Sequence, residues 1–265
     1  MIPTPHSDLT VGQGTHPGET GKNNEDRFGV SAYYGEGGEQ VTLAVIADGI
    51  GGNQAGEVAS DLAVKTITRS VGRSSGTDYA DILDQAVHQA AQAVVEAAKA
   101  RPDLKGMGTT CVVALIAGRR LYTAYVGDSR AYLARRGGII QTSVDHTFVQ
   151  EAIEHGLLTP AEARSHPHRH VVRRHLGSDP NVRADFRLRL SDAEPPEHSM
   201  RNQGVLLDPG SRLVLCSDGL SDLVEPDEIL QLLDRNPPQA AVDELILLAR
   251  RRGGHDNITV IAIQV

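Results

Sequence analysis

The chain has 265 residues, of which 40% are apolar and 23% charged, a balance that suits a soluble globular protein of one large domain or two small ones. A net charge of −8 argues against nucleic acid as the main partner, and no apolar run reaches the length of a membrane span. Trp is absent and aromatics make up only 3%, so the core has to be built from Val, Leu, Ile and Ala.

Residues 1–20 are polar and rich in Gly, Thr and Pro, which suggests an edge strand with a loop; the stretch is too polar for a signal peptide. Arg27 to Tyr34 reads as a strand, and Gly35 to Glu39 has hairpin-turn chemistry. The turn feeds an apolar strand, Val41 to Ala47, that ends on Asp48 and a glycine-rich turn. Helical spacing follows from about Gly56 to Val71. Thr77 or Asp78 can cap a second helix reaching about Ala100, with Ile82, Leu83, Ala86, Val87, Ala90, Val94 and Ala97 as its buried stripe.

Four strands are expected next, at Thr109 to Ala117, Arg120 to Val126, Arg130 to Arg135 and Ile139 to Thr142. Their short connections demand antiparallel pairing, since parallel crossovers need a dozen residues or more. Asp145 to Asn181 reads as partly helical, with capping-box spacing from Thr159 to Glu162. Val182 to Leu190 alternates as a half-buried strand would. A strand at Arg212 to Cys216, helices at Asp227 to Leu233 and Gln239 to Arg251, and a closing strand at Ile258 to Val265 complete the pattern. The fold class is therefore α+β, and one domain over 1–265 is the simpler organisation. Cys111 and Cys216 sit inside strand-like runs with no redox or metal spacing, as expected of buried residues in a reducing, cytoplasmic compartment.

The chemistry gathers at strand ends. Asp48, Asp128, Asp218 and Asp256 stand where apolar runs give way to Gly, Ser or Asn, and Asp26 opens a strand. One such residue is ordinarily a turn or cap Asp. Four or five that converge would repel one another and raise each other's pKa unless cations sit among them. Oxygen-only donors point to hard ions such as Mg²⁺ or Mn²⁺, and a pair of such ions is a common device for attacking phosphate esters.

In order along the chain, NNED (23–26), ADGIGGNQAGE (47–57), GTT (108–110), VGDSRAYL (126–133), DHTFVQ (145–150), CSDGLSD (216–222) and GHDNITV (254–260) resemble the motifs of the metal-dependent protein phosphatases. These are the type 2C serine/threonine phosphatases, here in their compact bacterial form. The resemblance covers nearly the whole chain. It implies a four-layer αββα sandwich, two central antiparallel sheets flanked by helix pairs, with a flap subdomain at about 145–181. It also implies hydrolysis of phosphoserine or phosphothreonine by a metal-bridging hydroxide. Asp48 would bridge two metals and Gly49 would lend its carbonyl. Asp218 and Asp256 would hold the other side, Asp26 would act through water, and Asp128 would hold a third ion. Asp48 and Asp218 are thus the catalytic pair, acting through metal-bound water. Ser217 and Asn257 are expected to support the ligands, not to bind metal.

The family's phosphate-clamping Arg is replaced here by Gly21, with Lys22 beside it, and Asn53 stands where many bacterial members have His. These two positions motivate the rival reading, a non-catalytic phospho-binding regulatory module on the same fold. The basic segment Arg164 to His175 carries four Arg and four His. From its place in the flap, Arg173 and Arg174 are expected to receive a phosphopeptide. A zinc site on His166, His168 and His170 is disfavoured because no Cys accompanies them. His146 and His155 are expected as loop or helix-surface residues. Phosphorylated proteins, a serine/threonine kinase or its substrates among them, are the expected partners of a monomeric bacterial signalling enzyme, with no nucleic acid and no membrane in this chain.

Overall fold

The computed structural model describes residues 1–51, 55–192 and 194–265. In chain order its elements are β1 (Ile2–Thr4), β2 (Thr10–His16), β3 (Arg27–Tyr34), β4 (Gln40–Ala47), β5 (Gly49–Ile50), α1 (Ala55–Arg73) and α2 (Tyr79–Ala100). There follow β6 (Gly108–Thr109), β7 (Cys111–Ala117), β8 (Arg120–Val126), β9 (Arg130–Arg135), β10 (Gly138–Gln141), α3 (Phe148–Glu154) and α4 (Pro160–Arg164). The last third holds α5 (Pro196–Ser199), β11 (Val205–Leu206), β12 (Arg212–Cys216), α6 (Asp218–Ser221), α7 (Pro226–Arg235), α8 (Pro238–Arg251) and β13 (Ile258–Gln264).

Two large sheets form, ordered β1-β3-β4-β7-β8-β11 and β10-β9-β12-β13-β2, with β5 and β6 as a small separate pair. Every ladder among the described residues is antiparallel. Alternate residues of β4 show how the layers stack. Val41, Leu43, Val45 and Ala47 join the side chains of α1 and α2 in one core, while Ala44 and Ile46 join Leu213, Leu215, Ile261 and Ile263 of the facing sheet. Val214 and Cys216 of β12 point the other way, onto Leu233, Val242 and Leu245 of the C-terminal helices. Each central strand is buried on both faces, so it reads as a continuous apolar run instead of alternating. The architecture is the four-layer sandwich expected, with α1 and α2 outside one sheet and α7 and α8 outside the other.

The residues expected to start helices do so. Asp78 accepts a hydrogen bond from the Asp81 N–H, and Thr159 and Glu162 close a reciprocal capping box over Pro160. One expected strand is absent. Val182 to Leu190 is extended, and Val182, Ala184, Phe186 and Leu188 bury as the alternation requires. Yet it meets β8 only at Asp185, which exchanges backbone hydrogen bonds with Tyr125 at 2.8 and 3.1 Å. The reason is Gln203. Its amide accepts from the Thr123 N–H at 2.9 Å and donates to the Thr123 carbonyl at 2.9 Å, occupying the ladder positions that a neighbouring strand would use. Gln239 does the same on the other sheet, accepting from the Gln13 N–H at 3.1 Å and donating to its carbonyl at 3.2 Å. The N-terminal segment supplies two edge strands instead of one, β1 and β2, in different sheets.

Gly12 of β2 lies flat against the first turn of α8, where a Cβ would collide with the backbone of Pro238 and Gln239. Gly12→Ala should therefore destabilise the fold by about 1–3 kcal/mol through overpacking, read as a lowered Tm and denaturant midpoint.

Candidate metal centre

Asp48 leaves the centre of the first sheet on a stem held from both sides. Its N–H donates to Thr110 Oγ1 at 3.1 Å, and its carbonyl accepts from the Thr110 N–H at 2.9 Å and from Thr109 Oγ1 at 2.7 Å. With the backbone so fixed, the side chain enters a cleft of about 920 Å³ at the end of the sandwich. Gly49 follows because nothing larger fits: a Cβ there would strike the backbone of Glu25 and Gly56.

The cleft is lined by Asp48, Gly49, Asp128, Asp218 and Asp256, which come from the turns after β4, β8 and β12 and before β13. Asp222 and Glu25 add two more carboxylates, and Lys22 is the lysine at the rim. Asp26 does not line the cleft. It lies beneath, 1% exposed, with Oδ2 accepting from Ser217 Oγ at 2.7 Å and Thr259 Oγ1 at 2.6 Å. Ser217 thus braces an acid, as expected. Asn257 ties the loops together: its side chain accepts from the Glu25 N–H at 2.7 Å and donates to the carbonyls of Pro17 and Asn23 at 3.1 and 3.2 Å.

So much buried negative charge is held only with difficulty. Burial, and then the charges of Asp26, Asp218, Asp128 and Asp256, push the Asp48 carboxyl well above the usual carboxylate range. Burial, and then Asp128, Asp222, Asp256 and Asp26, do the same to Asp218. Burial and the neighbouring Asp145 raise Asp128 to about 7; burial raises Asp26 to about 6, against the hydrogen bonds from Thr259 and Ser217. Carboxylate oxygens of Asp218 and Asp222 lie within 4.8 Å, a repulsion on the order of 3 kcal/mol if both ionise at an effective dielectric near 20. Asp218 Oδ1 and Asp26 Oδ1 are buried with no hydrogen-bond partner. Unpartnered buried carboxylate oxygens, an all-oxygen donor set and repelling neighbours fit hard divalent cations.

The basic residues of segment 145–181 are placed differently from the expectation. Arg173 and Arg174 do not line the cleft. Arg173 Nε pairs with Glu151 at 3.3 Å, and Arg174 donates to the Arg183 carbonyl at 2.7 Å. A loop rich in arginine reads as basic from sequence, but the direction of each side chain is set by the partners that Glu151 and Arg183 provide. The residues of segment 145–181 that face the cleft are His170, Val172 and His175. His146 stands on a loop, but buried, at 5% exposure. Its Nδ1 accepts from the Gly127 N–H at 3.0 Å, which leaves the ring proton on Nε2 to donate to Asp185 at 3.2 Å. His166 and His168 gather around Phe148, apart from His170. Asp222 is a cleft residue that the sequence reading misses, although it stands four residues after Asp218, one helical turn on, in the same motif. Asn53 lies outside the described residues.

A sequence model of the family described as protein phosphatase 2C matches residues 13–246. The serine/threonine protein phosphatase PstP of Mycobacterium tuberculosis is 39% identical over 243 residues, covering 92% of this chain and 42% of that protein. This chain therefore spans about two fifths of that relative's length. The solved structure of the M. tuberculosis serine/threonine phosphatase PstP/Ppp superposes with a TM-score of 0.81 at 36% identity, covering 97% of this chain and 98% of that one. The catalytic domain of PstP in complex with two manganese ions superposes with a TM-score of 0.76 at 35% identity, covering 97% and 98%.

The raised pKa values fix the sign of the pH response. Asp128, at 3.8 in an unfolded chain and about 7 folded, takes up a proton on folding between those values, so its contribution to stability falls as pH rises through about 7. Asp26 acts likewise up to about 6. The Tm of chelator-treated protein should thus fall between pH 5 and pH 8. Adding Mn²⁺ at pH 8 should raise it, the added stability being about 2.7 kcal/mol per site at a hundredfold excess over Kd, and adding it at pH 5 should raise it less because protons compete. Scanning calorimetry at both pH values checks the pattern.

Proposed function

The chain belongs to the protein phosphatase 2C family, and from that premise we propose that it is a metal-dependent serine/threonine protein phosphatase. The observation that carries this reading is the convergence of Asp48, Asp128, Asp218 and Asp256 on one cleft. A phosphate dianion would be repelled from such a surface unless cations were held there. In this reading Asp48, the Gly49 carbonyl, Asp218 and Asp256 hold two Mg²⁺ or Mn²⁺ ions, and Asp128 helps hold a third. When bound, such ions supply a water acidic enough to attack phosphorus at neutral pH and positive charge against the phosphoryl oxygens.

The remaining work falls to the chain's own groups. Asp48 and Asp218 orient the reacting centre from opposite sheets, each at the end of a strand packed on both faces. Asp26, braced by Ser217 and Thr259, contributes charge from beneath the floor and meets the site through water. Lys22 at the rim attracts the substrate phosphate as a single charge, without the two-pronged grip of an arginine.

The unit is read as one catalytic domain over 1–265 with a flap at 145–181. Substrates are then phosphoserine and phosphothreonine proteins, a serine/threonine kinase or its targets among them. Among the described residues no helix is long and apolar enough to cross a membrane. Two unpaired buried cysteines support a reducing, cytoplasmic setting. A monomer is the simplest working state.

Purified protein with Mn²⁺ should hydrolyse p-nitrophenyl phosphate and phosphopeptides in preference to nucleotides. Chelation should abolish turnover, and Asp218→Asn should lower kcat by roughly 10²–10³-fold, the scale of losing a principal electrostatic group. Lys22→Ala should raise KM more than it lowers kcat. Metal-loaded, folded protein with no turnover on any phosphomonoester would overturn the reading.

A further inference from the structure

A phosphate ester of serine or threonine releases a strongly basic alkoxide unless a proton reaches the departing oxygen, so the cleft needs an acid as well as a nucleophile. Most of its polar groups are poorly suited to that task. The carboxyls gather where cations are to be held, Lys22 stands at the exposed rim, and the carboxamide of Asn53 has no proton to give. Among the described residues three histidines line the cleft, His170, His175 and His255. The His170 ring is engaged, with Nδ1 3.2 Å from Asp222 Oδ2, and His255 is exposed on the turn before β13.

His175 is built into a wall. The Thr109 N–H donates to the Leu176 carbonyl at 3.0 Å and the Leu176 N–H donates to the Thr109 carbonyl at 2.8 Å, so the chain at 175–176 runs beside β6. On its other edge β6 pairs with β5, Gly49 opposite Thr109 and Ile50 opposite Gly108. Gly108 leaves the room that the ring fills, since a Cβ there would strike its Cδ2 and crowd Nε2. The side chain is half-buried, and its Nδ1 is sealed from solvent with no hydrogen-bond partner among the described residues. Nε2, lying along Gly108, is then the nitrogen offered to the cleft.

We propose that His175 is a catalytic residue of this cleft, the proton donor to the serine or threonine oxygen that leaves phosphorus. The inference rests on the phosphatase reading. As the oxygen of the attacking water bonds to phosphorus, the bond from phosphorus to Oγ breaks and its electron pair stays on Oγ. The Nε2 proton of the charged ring passes to that oxygen, and the product departs as a neutral alcohol. The ring takes its replacement from solvent, which has received the proton shed by the water. Burial lowers the pKa of His175, which makes its proton easier to surrender, and an incoming phosphate dianion favours the charged form of the ring. A ring that only fills the space over Gly108 and touches no substrate is the competing account.

Turnover as a function of leaving-group basicity separates the two. His175→Gln keeps a polar side chain over Gly108 but cannot transfer a proton. It should lower kcat on a phosphoserine peptide by roughly 10²–10³-fold, within the range of a positioned acid. The loss should be smaller on phenyl phosphate and smallest on p-nitrophenyl phosphate, whose leaving anion is stable without a proton. His175→Ala should show the same order, and the rise in Tm on adding Mn²⁺, retained in both variants, verifies that fold and metal centre are intact. Losses of equal size on the three substrates, no loss on any, or the same graded loss in His255→Gln in place of His175→Gln would each overturn the assignment while wild-type turnover leaves the phosphatase reading standing. Wild-type protein that binds Mn²⁺ and hydrolyses none of the three overturns both.

Discussion

Mutual repulsion among carboxylates is the constraint on which the rest of this structure turns. Asp48, Asp128, Asp218 and Asp256 arrive from the ends of strands in two different sheets, and each would relax away from the others if its stem allowed it. None does. Asp48 is pinned at its N–H and carbonyl by two threonines, Asp26 is held by two hydroxyls, and Asn257 ties the loop before β13 to the loop between β2 and β3 through a single side chain. The bracing groups are small and neutral, so they fix geometry without cancelling charge. Neutralisation is left to protons or cations, and the centre is therefore electrostatically poised in their absence.

The sandwich makes such bracing possible. Strands buried on both faces have little freedom to twist or slide, and their ends inherit that rigidity. The helix pairs on the outside complete two further cores but send no ligand into the cleft, apart from the short turn of α6. Scaffold and chemistry are accordingly separable in the sequence: long apolar runs build the layers, and the few residues after each run build the site.

That separation explains how much of the molecule is legible in its amino-acid sequence. Continuous apolar runs ending in Asp-Gly or Gly-Asp-Ser reveal the sheets and the acidic residues together, because the same strand end determines both. Capping chemistry at Asp78 and Thr159 is equally local. What escapes depends on partners distant in sequence. Val182 to Leu190 has the alternation of a strand, but Gln203 already occupies the ladder at Thr123. Arg173 and Arg174 look available until Glu151 and the Arg183 carbonyl take them. His170 and His175 are indistinguishable from their neighbours in a basic run, since the distant pairings of Val172 with Thr147 and of Leu176 with Thr109 set how the run lies against the cleft. Asp222 does carry a local signal, its spacing from Asp218, which is easily lost among the more frequent turn and surface uses of aspartate.

Gln203 and Gln239 each present a carboxamide, the same donor and acceptor as a peptide group, to the exposed rim of a sheet. A strand from another molecule therefore finds part of each rim already hydrogen-bonded, which hinders the end-to-end stacking that leads to fibrous polymers. The protection is chemically perishable. Slow hydrolysis of either amide to a carboxylate would remove the N–H half of the pairing and leave a backbone carbonyl facing an anion, so an ageing preparation would lose its guard at the rims while its metal centre was still intact.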